Sequence, residues 1–326
     1  MLEHGGKLRD ATQRYGRSDW LDLSTGLNPN GYPAPALASD AWHRLPEHDP
    51  ALLDAAQRYY AAPRMLAVAG TQAAIQALPR LRPPSRVVVA SPSYAEHLHH
   101  WSQHGHRASA VPYSELGAAV STADVMVVCN PNNPTGAFVP RETLLRWAEV
   151  LRTRGGWLVV DEAFADTDGA QSVAGATQAP GLIVLRSVGK FFGLAGVRLG
   201  FVAAHDDILT PLADMLGPWA VSGPAQQVAR AALEDSAWQH ATQEALHAAG
   251  TRLRKLLAGY RIASNGTALF QWWPEPRAEE FHDHMARRGI WVRLFREAAR
   301  GIRLGLPADE AGWQRLDMAL NEWTER

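Results

Sequence analysis

The stretch VMVVCNPNNPTG, residues 125–136, joins an apolar run to a turn-forming segment. Its first five residues lack the polar alternation of a half-exposed strand, so they predict a strand that is buried on both faces of a sheet. The remainder is rich in Asn, Pro and Gly, which favour turns. Five further runs share the apolar character: MLAVAG (65–70), RVVVAS (86–91), WLVVDE (157–162), LIVLRS (182–187) and LGFVAA (199–204).

Helical stretches separate several of these runs. Residues 50–62 carry apolar side chains at helical spacing, and TQAAIQAL (71–78) and RETLLRWAEVLRTRG (141–155) also read as helices. Strands that alternate with helices predict an α/β fold with a doubly wound, mostly parallel sheet.

The pattern changes after residue 222. Residues 223–260 read as one or two long helices, and the remainder mixes short strands with helices. We therefore expect a large α/β domain over residues 30–222. A smaller α+β domain over 223–326 is expected together with an N-terminal arm, residues 1–29, because the first 35 residues are rich in the loop formers Gly, Pro and Asn.

The composition is that of a globular protein, with 326 residues, 46% hydrophobic and 20% charged. The net charge of −1 gives no general attraction to nucleic acid or to an anionic membrane. The single cysteine, Cys129, excludes an intramolecular disulfide and fits a reducing compartment. The N-terminus does not read as a signal peptide and no apolar run is long enough to span a membrane, so we expect a cytoplasmic protein.

Polar residues follow the predicted strands at the points where the strands end. In sheets of this kind, ligands bind beyond the carboxyl ends of the strands. Each residue alone has an ordinary explanation as a helix start, a turn or a solvated side chain, but their shared position favours one ligand-binding crevice. The residues are Thr71, Gln72, Tyr94, Asn132, Asn133, Asp161, Ser187 and Lys190.

The set of segments at these positions resembles the fold type I pyridoxal phosphate enzymes of the aminotransferase class I/II family. The resemblance covers nearly the whole chain, and the order and spacing of the segments make it specific. It implies a large doubly wound, mostly parallel-sheet domain, a smaller α+β domain and pyridoxal 5'-phosphate as cofactor. The segments are GTQ (70–72), SPSY (91–94), NPNNPTG (130–136), DEAF (161–164) and SVGKFFGLAGVRLGF (187–201).

The resemblance also implies roles for single residues. Lys190 binds the cofactor covalently as a Schiff base, and Asp161 pairs with the pyridine nitrogen. Tyr94 stacks on the ring and Asn133 hydrogen-bonds its 3-hydroxyl. Tyr60 matches a tyrosine that reaches the phosphate of the neighbouring subunit's cofactor, which implies a homodimer. The residues implied to bind the phosphate within the same subunit are Gly70, Thr71, Gln72, Ser187 and Arg198.

The substrate-binding residues are also implied by resemblance. Arg303 matches the arginine that binds the substrate α-carboxylate, and Arg293 is close enough in sequence to join it. The segments EHGG (3–6) and LDLSTGLNPNGYP (21–33) are similar to those of family members that decarboxylate O-phospho-L-threonine to (R)-1-amino-2-propanol phosphate for cobalamin biosynthesis. The residues then implied for the substrate phosphate are His4, Gly5, Gly6 and Asn28.

Two other functions stay open at this stage. One is a histidinol-phosphate or related aminotransferase, which uses the same fold for a different reaction. Phe164 argues against it, because many aminotransferases of this group have a tyrosine there that donates to the 3-hydroxyl. The other is a non-catalytic protein with this fold, which the intact Lys190, Asp161, Asn133 and Arg198 argue against.

The histidine-rich tract 97–106 invites a metal-binding interpretation. We see no carboxylate or cysteine set that accompanies it, so we expect no metal there. Taken together, these observations predict a homodimeric lyase that acts on a small phosphorylated amino acid, with no nucleic acid or membrane partner.

Overall fold

The computed structural model of the protein describes residues 5–324. Its helices are α1 (Leu8–Tyr15), α2 (Asp40–His43), α3 (Pro50–Tyr60), α4 (Thr71–Ala77), α5 (Ala95–Gln103), α6 (Leu116–Ala119), α7 (Arg141–Arg152), α8 (Asp206–Leu216), α9 (Gly223–Glu234), α10 (Ser236–Gly259), α11 (Ala278–Arg287) and α12 (Glu310–Thr324). Its strands are β1 (Leu21–Asp22), β2 (Met65–Val68), β3 (Arg86–Ser91), β4 (Arg107–Pro112), β5 (Val125–Cys129), β6 (Trp157–Asp161), β7 (Leu182–Ser187), β8 (Gly200–Ala203), β9 (Asn265–Gly266), β10 (Phe270–Trp273), β11 (Ile290–Trp291), β12 (Arg293–Phe295) and β13 (Gly301–Gly305).

The chain divides into two compact units. Unit 1 contains residues 5–30, 133–137 and 241–324, and unit 2 contains residues 31–132 and 138–240. The division falls within α10.

Unit 2 is built, within the described residues, on a seven-stranded sheet of order β2-β8-β7-β6-β5-β3-β4. Strands β3 to β7 pair in parallel, whereas β8 is antiparallel to both β7 and β2. All six apolar runs form strands of this sheet, which confirms the predicted α/β fold with a mostly parallel sheet. Strand β4 was not predicted because it lies at the edge of the sheet and its residues are largely exposed.

The core of unit 2 lies where helices cover the buried sheet. Val127, Val159, Ile183, Leu185 and Val202 are at most 1% exposed and share one cluster with apolar residues of α4 and α8. Each such side chain stabilises the fold by about 2 kcal/mol through burial. The sheet is therefore a rigid support for the loops at its ends.

Helix α9 packs within unit 2, although the sequence pattern assigned it to the smaller domain. The Gln226 side chain on α9 accepts a hydrogen bond from Asp49 N and donates one to Glu47 O, each at 3.0 Å. A change of pattern along the chain cannot show such packing, so the boundary drawn at residue 222 does not coincide with the division at residue 240.

Unit 1 contains a four-stranded antiparallel sheet of order β12-β13-β10-β9, as far as the described residues show. Strand β1 pairs in parallel with β11. In β12 and β13, Arg293 and Arg303 lie directly opposite each other. The first 35 residues were expected to form loop or arm, and this expectation is wrong for α1. The helix ends at Tyr15, and Gly16, which follows it, has the left-handed conformation.

Among the described helices, none combines the length and apolar character needed to cross a membrane.

Candidate active site

The carboxyl ends of β2, β3, β5, β6 and β7 lie along one edge of the unit 2 sheet, because these strands run in the same direction. The predicted residues at this edge include Asp161, which is the last residue of β6, and Ser187, which is the last residue of β7. Thr71 opens α4 directly after β2, and Tyr94 precedes α5. Asn133 belongs instead to unit 1.

Asp161 is a buried carboxylate that has a cationic partner. His97 Nε2 donates to Asp161 Oδ2 at 2.9 Å, and the side chains of His97 and Asp161 are only 2% and 7% exposed. Cys129 Sγ lies 4.0 Å from the same oxygen. Burial alone would lower the pKa of His97, but its charge interactions and hydrogen bonds with Cys129 and Asp161 raise that pKa to about 10. His97 is therefore a cation at neutral pH.

This cluster corrects one expectation. The histidine tract does have a carboxylate and a cysteine nearby, since the ligand atoms of His97, Cys129 and Asp161 lie within 4.8 Å of one another. The three residues are far apart in sequence and meet only because β5 and β6 are neighbours and α5 packs close to them. The position of His97 three residues after Tyr94 is the one feature of the sequence that could have indicated this contact.

Lys190 lies in a tight loop that follows β7. The loop is closed by hydrogen bonds from Gly189 N to Ser187 Oγ at 3.1 Å and from Gly193 N to Lys190 O at 3.1 Å. Lys190 Nζ lies 5.2 Å from the centroid of the Phe164 ring, which is buried. The aromatic residue that distinguishes this chain from many aminotransferases therefore faces the candidate catalytic lysine.

Gly70 and Arg198 form a cradle for an anion. Gly70 has φ 72° and caps the N-terminus of α4, and a Cβ at this position would lie 2.6 Å from Arg198 Nη2. Only glycine lets the guanidinium approach so closely. A helix N-terminus beside a guanidinium favours a phosphate group.

Gln72 and Tyr94 are joined by hydrogen bonds. Tyr94 OH donates to Gln72 Oε1 at 3.2 Å, and Gln72 Nε2 donates to Glu96 Oε2 at 2.7 Å. Burial raises the pKa of Tyr94 above its ordinary value, with the neighbouring Glu96 contributing in the same direction, so its hydroxyl stays neutral. The amide of Gln72 is thus held in one orientation.

Tyr60 lies inside unit 2. This residue is 5% exposed, its hydroxyl is buried, and the Arg186 guanidinium carbon lies 4.4 Å from its ring centroid. Arg186 is itself paired with Glu162 at 2.6 Å and with Asp166 at 3.3 Å. The role of Tyr60 toward the cofactor of a neighbouring subunit, which the resemblance implies, stays a prediction, and the burial of this tyrosine is not visible from sequence.

Arg303 in unit 1 is a buried cation whose acceptors are neutral. It is 4% exposed, and its guanidinium donates to the side-chain oxygen of Asn133 and, at 2.6 Å, to the carbonyl oxygen of Ser24. Within residues 5–324, its Nε has no hydrogen-bond partner. Burial and the neighbouring Arg293 lower the pKa of Arg303 to about 9, against a smaller opposite effect of Asp22. This guanidinium is suited to bind an anion.

The other predicted substrate residues fall in unit 1. Arg293 is half-buried and directly opposite Arg303. The Asn28 side chain is buried and accepts a hydrogen bond from Asn30 N at 2.9 Å. Gly5 and Gly6 lie against Ser24, whereas His4 lies outside the described residues.

Comparison with known proteins identifies the family. The family model described as aminotransferase class I and II matches residues 19–320. The chain belongs to this family. It is 52% identical to a threonine-phosphate decarboxylase of Pseudomonas aeruginosa, over 98% of this chain and 97% of that protein. It is 41% identical to a threonine-phosphate decarboxylase of Sinorhizobium sp, with the same coverage of both chains.

Solved structures of the aminotransferase class I and II fold also match. Histidinol-phosphate aminotransferase from Sinorhizobium meliloti, solved with pyridoxal-5'-phosphate, superposes with a TM-score of 0.85 at 23% identity, over 99% of this chain and 95% of that chain. L-threonine-O-3-phosphate decarboxylase from Porphyromonas gingivalis gives 0.79 at 20% identity, over 93% and 99%. At these identities the likeness shows the fold.

Proposed function

We propose that the protein is a pyridoxal phosphate-dependent lyase that decarboxylates O-phospho-L-threonine to (R)-1-amino-2-propanol phosphate and CO2, a reaction of cobalamin biosynthesis. The two relatives that match this chain over nearly its full length are named for that reaction. The structural observation that carries the proposal is the contact of Lys190 with Phe164. At the position where many aminotransferases of the family have a tyrosine, the Phe164 ring lies beside Lys190 and carries no hydroxyl.

The residues of unit 2 fit pyridoxal phosphate. The cradle of Gly70 and Arg198 suits a phosphate, and the buried Asp161 side chain suits a protonated ring nitrogen. The bound cofactor supplies an electron sink for the electrons left behind when a bond to the substrate α-carbon breaks. The residues of unit 2 proposed to hold it are Gly70, Thr71, Gln72, Tyr94, Asp161, Ser187, Lys190 and Arg198, and the resemblance adds Asn133 of unit 1.

Lys190 is the proposed acid and base of the reaction. Loss of CO2 leaves an electron pair at the α-carbon, and one proton must replace the carboxyl group there. Lys190 Nζ is the group of this chain that holds that proton. Phe164 adds no second proton donor beside it, since its ring carries no hydroxyl.

Arg303 is proposed to bind the substrate carboxylate. A guanidinium binds a carboxylate through two parallel hydrogen bonds, which an ammonium cannot do. A carboxylate also supplies the negative charge that the neutral oxygens of Asn133 and Ser24 do not. Arg293 joins it, and His4, Gly5, Gly6 and Asn28 are proposed for the substrate phosphate.

A homodimer is part of the proposal. Unit 2 leaves large apolar side chains exposed, including Trp42 at 65% and Trp219 at 56%. Ala41, the residue before Trp42, packs closely against Gly223 at the start of α9. A Cβ on Gly223 would lie 2.7 Å from the carbonyl oxygen of Ala41. Exposed apolar patches are typical of protein interfaces, and a second copy of the chain is the proposed partner. A cytoplasmic location stays a prediction from the sequence.

Product analysis tests the reaction. The holoenzyme is incubated separately with O-phospho-L-threonine, O-phospho-L-serine and histidinol phosphate, with and without 2-oxoglutarate, and products are identified by mass spectrometry. The proposal expects aminopropanol phosphate from the first substrate with no need for 2-oxoglutarate. Glutamate formed from histidinol phosphate and 2-oxoglutarate, without decarboxylation, would show an aminotransferase instead.

A further inference from the structure

Ser24 lies where three segments of unit 1 meet, and it is 1% exposed. Its hydroxyl accepts a hydrogen bond from Gly6 N at 2.8 Å and donates one to Asp22 Oδ1 at 2.7 Å. Its carbonyl oxygen accepts a hydrogen bond from Arg303 Nη2 at 2.6 Å. One residue thus holds both the Gly5–Gly6 main chain and the buried guanidinium.

The approach of the main chain to Ser24 depends on glycine at position 5. A Cβ on this residue would lie 2.5 Å from Ser24 O and 3.2 Å from Ser24 Oγ. The first distance is far below van der Waals contact with a backbone atom, so any larger residue must move the segment away. The close packing of Gly5 against Ser24 therefore requires glycine at position 5.

Asp22 fixes the orientation of the Ser24 hydroxyl. Its Oδ1 atom accepts hydrogen bonds from both the backbone N–H and the hydroxyl of Ser24, at 2.8 and 2.7 Å. Because the hydroxyl proton is directed to this carboxylate, a lone pair of the Ser24 oxygen is left for Gly6 N–H. The carboxylate of Asp22 also favours the charged form of Arg303.

We propose that Ser24 is a positioning residue for substrate binding, which aligns Arg303 through its carbonyl oxygen and the Gly5–Gly6 main chain through its hydroxyl. The inference rests on the proposed function, in which Arg303 and Gly5–Gly6 bind the two anionic groups of the phosphorylated amino acid. Ser24 acts through these neighbours. Substrate affinity thus depends on a contact between the start of the chain and strand β13.

Ser24→Ala tests the inference, because it removes the hydroxyl and leaves the carbonyl. The variant loses the hydrogen bond that the hydroxyl donates to Asp22 and the one that it accepts from Gly6 N. Only the Gly6 bond reaches the proposed substrate segment, and loss of one such neutral bond corresponds to a change of about 2–10-fold in an equilibrium. We therefore expect KM for O-phospho-L-threonine to rise about fivefold, with kcat changed less than twofold. The Gly6 amide should exchange with deuterium several times faster in the holoenzyme. Ser24→Thr keeps a hydroxyl and should restore both properties at least in part.

Ser222→Ala is the matched control. The Ser222 hydroxyl also accepts a backbone hydrogen bond, from Ala225 N at 3.3 Å, but at the start of α9 in unit 2. It should lower stability and leave KM unchanged. Gly5→Ala disturbs the same contact from its other side, so it should raise KM too. The double variant Ser24→Ala with Gly5→Ala should change KM by less than the product of the two single effects.

Three results would overturn the inference while leaving the proposed function intact. They are an unchanged KM in Ser24→Ala, a fall in kcat without a rise in KM, or a rise in KM equally large in Ser222→Ala. A wild-type holoenzyme that releases no CO2 from O-phospho-L-threonine would instead overturn the proposed function, and the inference with it.

Discussion

The two units differ in the hydrogen-bond partners that they provide for a buried charged side chain. In unit 2, Asp161 has a cationic partner, His97, at 2.9 Å. In unit 1, Arg303 has only neutral acceptors for the hydrogen bonds that the described residues provide. Burial of an ion whose hydrogen-bond acceptors are neutral costs free energy, so Arg303 is stabilised when an anion binds. Asp161 thus has a charged partner within the protein, whereas Arg303 would gain one when its ligand binds.

Asp161→Asn should have the largest effect, because it removes the charge from the balanced pair. Leaving a buried ion without its partner costs about 3–5 kcal/mol, and a comparable loss in the transition state would lower kcat by about a thousandfold. The decisive measurements are kcat for CO2 release and an NMR titration of His97, whose pKa should fall well below 10. A variant with near wild-type kcat would show that the pair is only structural.

Arg303→Lys tests the buried guanidinium whose hydrogen-bond acceptors are neutral. The lysine keeps the positive charge but loses the two parallel hydrogen bonds, so kcat/KM for O-phospho-L-threonine should fall about 10- to 100-fold. Cofactor affinity, measured by absorbance titration, should change less than twofold. Equal losses in substrate and cofactor binding would contradict the role of Arg303 in binding the substrate carboxylate.

The His97–Asp161 pair predicts a dependence of stability on pH. The folded state raises the pKa of His97 from 6.5 to about 10, so the pair stabilises fully below pH 6.5 and loses its contribution as the pH rises to 10. We expect the free energy of unfolding of the cofactor-free protein to fall by about 2 kcal/mol more in wild type than in His97→Gln over this range. His106→Gln is the control, since the ring nitrogens of His106 bond to the backbone at Ser85 N and Pro79 O. Equal slopes for wild type and His97→Gln would refute the ion pair.

Phe164→Tyr should have the smallest effect, because it adds one hydroxyl near Lys190 and removes no charge. We expect CO2 release to slow by about two- to fivefold, the cost typical of one imperfect hydrogen-bonding group. Amino transfer to 2-oxoglutarate should rise relative to CO2 release. An unchanged ratio of the two products would mean that Phe164 does not contribute to the choice of reaction.

The same contrast explains what the sequence could predict. The strands of unit 2 are continuous apolar runs and their site residues follow directly, so Asp161, Ser187 and Lys190 were found from local pattern and resemblance. Strand β4 was missed because an exposed edge strand lacks the apolar signal. Helix α1 was missed among loop-forming residues.

Contacts between segments that are distant in sequence could not be predicted from a local pattern. His97 contacts Asp161, which lies 64 residues further along the chain, and Ser24 contacts Arg303, which lies 279 residues further along. Tyr60 matched a family position, but its burial against Arg186 depends on packing that one sequence does not display. The contacts that could not be predicted are those that tertiary structure sets.

The most direct test of the account is acceptor-free release of CO2 from carboxyl-labelled O-phospho-L-threonine by the wild-type holoenzyme and by Lys190→Ala. We expect one CO2 per aminopropanol phosphate formed in wild type and none above background in the variant. Label retained in a keto acid, with the amino group passed to an acceptor, would contradict decarboxylation and leave the family and the fold unchanged.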